Sequence, residues 1–159
     1  MDAMNNFFAS GFGLPWRRGD YHRTEFAFNP RYALPSGVKA TSLPGPYSMK
    51  ALHIKNARRQ EKIFVPIADA RTQSHVFPPE SVDQSQAAVT GAKIGNGQLI
   101  YCGDVNPEAG SDSVILAFCG LGERPSQFKF LELLVPRAVR HLGDIIHRLK
   151  SRPHACHEV

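Results

Sequence analysis

No stretch of the 159-residue sequence holds the ~20 consecutive apolar residues that a membrane-spanning helix needs. That excludes a helical membrane span. The opening M-D-A-M-N-N-F-F has neither a basic leader nor a long apolar core, so a secretory signal is not expected and a cytoplasmic location is. Cysteine is scarce. Cys102, Cys119 and Cys156 are odd in number and far apart, which excludes a disulfide framework and a zinc ribbon. Cys102 and Cys119 lie in apolar runs and read as small buried hydrophobes. No phosphate-binding loop is present either: the glycines of G-N-G, residues 95–97, precede an apolar run and no Lys-Ser/Thr follows.

What is present is ordinary for one globular domain, with 42% hydrophobic and 21% charged residues. A net charge of +5 raises the question of nucleic acid. Its bases are dispersed as Arg17-Arg18, Arg58-Arg59 and a C-terminal set from Arg137 to Arg152, with no interleaved aromatics to stack on bases. General basicity is therefore the reading, and nucleic acid is disfavoured as a partner.

Local patterns give the elements. Asp2 can cap a short helix that places Met4, Phe7 and Phe8 on one face, with Gly11 and Gly13 ending it. Thr24 to Phe28 alternates as a strand and Asn29-Pro30 breaks it. Residues 33–47 are irregular, because Pro35, Gly37, Pro44, Gly45 and Pro46 crowd them. In A-L-H-I-K-N, residues 51–56, Leu52 and Ile54 are expected to face inward and His53 and Lys55 outward. K-I-F-V-P-I, residues 62–67, is a second strand, and Pro66 places its end near a sheet edge. Residues 69–86 read as a long surface loop containing Pro78-Pro79.

Ala87 to Ile94 and Gln98 to Cys102 read as a hairpin across Gly95-Asn96-Gly97, since these residues tolerate positive φ. Ser111 or Asp112 is then expected to cap a helix, apolar all round and buried, that Gly120 and Gly122 terminate. From Ser126 the pattern is helical, with an amphipathic helix from Pro136 to Leu149 and a frayed tail at residues 151–159. The chain divides by this reading into an α/β domain, residues 1–125, and a C-terminal helix and tail, residues 126–159.

Three stretches carry a resemblance: G-L-P-W-R-R-G-D-Y-H-R-T, V-P-I-A-D-A-R-T-Q-S-H-V-F, and above all A-K-I-G-N-G-Q-L-I-Y-C-G-D-V-N. On them the block from Phe12 to Leu121 resembles a group of fungal proteins in the ThuA-like branch of the class I glutamine-amidotransferase-like fold. The resemblance implies an α/β, flavodoxin-like fold of which this chain holds the C-terminal half: a partial sheet with a closing antiparallel hairpin. Met1 falls where the second half of such a domain begins, so a truncated domain is expected. It would leave one sheet face uncovered, and the chain would be oligomeric or bound to a protein partner.

The family's nucleophile is a Cys on a tight strand-to-helix turn between small residues. Cys102, with Ile100 two before it and Asp104 two after, fails that pattern, so no nucleophile is carried over. Asp104, at the C-terminal end of a strand where α/β sheets gather ligands, is the first candidate site residue. His75 and His22 are the others. Ser74 and His75 cannot act as a dyad, because neighbours in extended chain point opposite ways. Arg18-Gly19-Asp20 spells an adhesion tripeptide and reads as chance. No cofactor or metal is expected. His154, Cys156 and His157 lack a frame, His141 and His147 are out of helical phase, and Asp104, Asn106, Glu108 and Asp112 do not match a calcium loop. The functional expectation is a catalytically silent accessory or interaction protein. The alternatives are a small hydrolase or transferase at the sheet end, and a basic nucleic-acid-associated protein.

Overall fold

Strand β1, Arg17–Phe28, is the longest described strand and pairs with a neighbour on each side. The computed structural model describes residues 3–121. They fall within the first of two units, Met1–Glu123 and Arg124–Val159. The expected helix Pro136–Leu149, the tail and Cys156 lie outside the described residues. Beside β1 are helix α1 (Ala3–Phe12), strands β2 (Tyr47–Lys55), β3 (Lys62–Pro66), β4 (Val89–Ile94) and β5 (Gly97–Cys102), and helix α2 (Ala109–Phe118). The sheet order is β2-β1-β3-β4-β5, and every pairing is antiparallel.

The protein is thus an α/β chain with a curled, five-stranded antiparallel sheet and two α-helices among its described residues. The parallel, crossover-connected sheet of the flavodoxin-like expectation is not what these strands form. The hairpin is formed as expected, Val89 opposite Cys102 through Ile94 opposite Gly97. Its two central residues are Gly95 and Asn96, and Gly95 takes the positive φ, 55°.

The sheet curls until its outer strands meet. Leu52 N donates to Gly103 O (2.9 Å), Val105 N to Lys50 O (3.0 Å) and Ile54 N to Ala87 O (2.8 Å). Gly103 is required at this seam, because a Cβ there would overlap the Leu52 carbonyl oxygen and lie 3.0 Å from that of Ala88. Among the described residues, β2 carries buried side chains on both faces, Met49 and Ala51 on one and Ile54 on the other. One core holds Phe26, Met49, Ala51, Ile63, Phe64, Val89 and Val114. The other, Phe8, Leu14, Trp16, Ile54, Ala57 and Ala92, lies under α1. Fully buried side chains such as Trp16, Phe26 and Phe64 each stabilise the fold by roughly 1.5–3 kcal/mol.

Burial on both sides of the sheet overturns several expectations. In β2 the core-facing parity is Met49, Ala51 and His53, so His53 is fully buried instead of outward. Ile54 is buried as expected, but in the second core. In α1 Phe8 is buried, with Met4 and Phe12 partly buried against the same core, and Phe7 is 56% exposed. Helix α2 begins earlier than expected, with Glu108 as its N-cap, and is buried only on Ser111, Val114 and Ala117. Ile115 and Leu116 face out, and Gly120, with φ 75°, ends it. Strand β3 is central, so Pro66 does not mark an edge. It is tolerated because the pairing with β4 stops at Phe64–Val89, leaving no ladder bond for its missing N–H.

The chain from Ile67 to Ala88 is anchored at several points. Ile67 N donates to Glu25 O (3.1 Å) and Gln73 N to Arg23 O (2.8 Å), so its outgoing leg runs beside β1. Arg71 and Ser81 form an isolated bridge, Thr72 N donates to Glu80 O (2.8 Å), and Glu80 N donates to Thr72 Oγ1 (2.9 Å). The result is a stem with a tip at residues 74–79.

Candidate functional site

The three residues singled out from sequence do not converge. Asp104 follows the seam glycine, and its backbone bridges Ala51. Its carboxylate is engaged locally: Oδ1 accepts from Asn106 N (2.9 Å) and Oδ2 from Glu108 N (3.0 Å). Since Glu108 makes no side-chain cap of its own, Asp104 helps to satisfy the amides at the entry to α2. Beside it, Arg23 Nη2 pairs with Glu108 Oε1 (2.5 Å) and Nη1 donates to Ser48 Oγ (3.2 Å). Ser48 Oγ in turn donates to Gln73 Oε1 (2.6 Å). Asn106, with its amide turned to satisfy both ends, accepts from Arg23 Nη2 (3.1 Å) and donates to Val105 O (3.2 Å). This cluster ties β1, β2, the outgoing leg of the long loop and the start of α2 together.

His75 is exposed at the loop tip. Its neighbour Ser74 is committed to the turn, with Oγ accepting from Val76 N and Phe77 N, both at 3.1 Å. His22 is on the core-facing side of β1, Cα-paired with Ala51. It meets His53, with ring centroids 4.4 Å apart and planes at 71°. His22 Nε2 and both nitrogens of His53 are buried and have no hydrogen-bond partner. Burial lowers the His22 pKa, partly offset by Asp20. Burial, and then the His22 charge, push His53 down to about 4, with Asp20 and Asp83 opposing. The pair is therefore neutral at pH 7.

A bulge creates this arrangement. Between Arg18–Ile54 and Tyr21–Leu52 the register shifts by one, so Gly19 and Asp20 together stand opposite His53. Gly19 allows the approach, since a Cβ would sit 2.9 Å from the His53 carbonyl oxygen and overlap Gln86 Oε1. The fully buried Gln86 then joins the returning leg of the loop to β1: Oε1 accepts from Asp20 N (2.8 Å), and Nε2 donates to Asp20 Oδ2 (2.7 Å) and Asp83 Oδ2 (2.9 Å). Lys55 Nζ completes the cluster at 3.3 Å from Asp20 Oδ1.

The thiols are unlike each other. Cys102 is partly buried and its pKa is raised by burial, whereas Cys119, expected to be buried, is exposed as the C-cap of α2. Among the described residues no group of three or more His, Cys, Asp or Glu is arranged to hold a metal ion. No described helix is long and apolar enough to cross a membrane.

Sequence reasoning passed over the loop tip as polar surface. Val76 and Phe77 there are 80% and 70% exposed, the most exposed large apolar side chains described. The available signal was Val76-Phe77 set directly before Pro78-Pro79 in an otherwise polar stretch. No family model, no curated protein and no solved structure matches the chain.

Proposed function

We propose that the chain is a protein-interaction module without a catalytic centre of its own, and that it presents the tip of the 67–88 loop from a rigid, curled sheet. The observation that carries this reading is the exposure of Val76 and Phe77 on a stem closed by the Thr72–Glu80 bonds. Two large apolar groups held out in water by an ordered stem gain nothing for this fold and suit a partner's surface. The commitment of Asp104 to backbone amides and the raised pKa of Cys102 support the non-catalytic part.

A kinship with the ThuA-like, amidotransferase-like proteins rests on the three quoted stretches alone, and a flavodoxin-like architecture finds no support in the all-antiparallel sheet. A second reading, a small hydrolase or transferase using Asp104, His75 and His22, has one observation in its favour. His22 and Asp104 flank Ala51 on the two neighbouring chain segments. It requires Asp104 to release the amides of Asn106 and Glu108.

The test is site-specific photo-crosslinking in cells of the source organism, with benzoylphenylalanine at position 77 and, as control, at exposed position 93 on β4. A discrete adduct formed from position 77 and not from position 93 is the expected result. Identical adduct patterns from both positions would refute the reading.

A further inference from the structure

The tip has a hydrogen-bonding character that narrows the class of partner, if the interaction reading above holds. Pro78 and Pro79 have φ fixed near −65° and carry no N–H. Phe77 and Pro78 each precede a proline, which keeps both out of the helical region. Pro78-Pro79 is therefore held extended, close to polyproline II, directly after the bend at residues 75–77 and before any partner arrives. The amides just before them, those of Val76 and Phe77, are both satisfied by Ser74 Oγ at 3.1 Å. From Val76 to Pro79 the chain thus offers a partner carbonyl acceptors and apolar faces, and no free donor.

That character separates the possible partners. A sheet edge that adds a strand must receive N–H donors as well as give them, and this segment has none to give. A membrane surface is disfavoured, because no Lys or Arg lies between Thr72 and Glu80, Glu80 adds a negative charge, and unpaired carbonyls are costly in hydrocarbon. An aromatic-lined groove fits. Its Trp and Tyr donors reach carbonyls, its flat walls take proline rings and Phe77, and the pre-extended ligand loses little entropy on docking. The Thr72–Glu80 stem, with the Arg71–Ser81 bridge behind it, further limits what the tip must lose.

We infer that Phe77-Pro78-Pro79 is the ligand of a proline-recognition domain, with Pro78-Pro79 docking as a preformed polyproline II element in an aromatic groove and the exposed Phe77 ring seated beside it. The experiment titrates isotopically labelled SH3, WW and EVH1 domains with the unlabelled whole chain and follows the groove resonances by NMR. The expected result is saturable shifts in the groove aromatics of at least one domain, with affinity falling about tenfold or more in F77A and in the P78A/P79A double variant. These side chains are exposed, so the variants keep the fold, which circular dichroism verifies. The absence of shifts with all three domains, or binding undiminished in F77A, would overturn the inference. So would co-sedimentation with vesicles of equal parts phosphatidylcholine and phosphatidylserine that F77A abolishes. A specific crosslink from position 77 together with a silent domain panel would leave the interaction reading standing and remove this partner class.

Discussion

Replacing His53 with leucine should remove much of the acid sensitivity of the fold. His53 is fully enclosed between His22 (4.4 Å between ring centroids) and Phe26 (5.2 Å), with neither nitrogen hydrogen-bonded. Burial first, and the neighbouring His22 second, lower its pKa from 6.5 to about 4. Between these two values the unfolded chain binds a proton that the folded chain refuses, so stability rises with pH across this window. The contribution is whole above about pH 6.5 and falls as the pH drops, reaching a loss on the order of 3 kcal/mol near pH 4. Asp83, held near 2 by Gln86 and Ser85, loses its contribution below this window. Urea unfolding followed by far-UV circular dichroism, from about pH 7.5 to about pH 4.5, measures the slope. H53L should lie close to the wild type at the alkaline end, since a buried polar group without partners is exchanged for an apolar one of similar size. It should be the more stable protein at the acid end, with the residual slope belonging to His22. Parallel losses in the two proteins would refute the reasoning.

Two further outcomes test other parts of the structure. In W16F the indole N–H that reaches Glu61 Oε2 (2.9 Å) is lost, leaving a buried carboxylate with the Arg58 amide (2.8 Å) and the Arg58 side chain (3.5 Å). A destabilisation of about 1.5–3 kcal/mol is expected from denaturant unfolding, and one below about 0.5 kcal/mol would show that the bond contributes nothing. Brief alkylation of the native protein, mapped by peptide mass spectrometry, should modify Cys119 ahead of Cys102. The first is exposed and the second is a partly buried thiol whose pKa burial raises, so the reverse order would contradict the placement of both.

The parts of this fold that were legible in the sequence are those that local chemistry decides. The β4–β5 hairpin follows from glycine's tolerance of positive φ between apolar runs, and the end of α1 from Gly13, with φ 65°. Strand facing was harder. Reading A-L-H-I-K-N by hydrophobicity assumed one buried face, but here α1 and Trp16 cover the outer side at Ile54 while the inner side takes Met49, Ala51 and His53. With both faces buried, alternation ceases to report direction. The extent of β1 was hidden for a related reason, because the Gly19-Asp20 bulge interrupts its alternation. Antiparallel closure depends on contacts more than thirty residues apart in sequence, Leu52 with Gly103 and Ile54 with Ala87, which no local pattern encodes.

The pocket of His53 and the base of the projecting loop share residues. The loop's outgoing leg is fixed on β1 by Gln73 N to Arg23 O and by Thr24 Oγ1 to Arg71 O (2.7 Å). Its returning leg ends at Gln86, whose amide grips Asp20 and Asp83, and at Ala87, which pairs with Ile54. Asp20 belongs to the bulge opposite His53, so the same few residues carry the end of the loop and enclose the imidazole. A charge placed on His53 must recover hydration, and the wall that has to give way includes this joint. Below about pH 6.5, where the wild type is strained by this proton, H53L should therefore also keep the base of the loop closed.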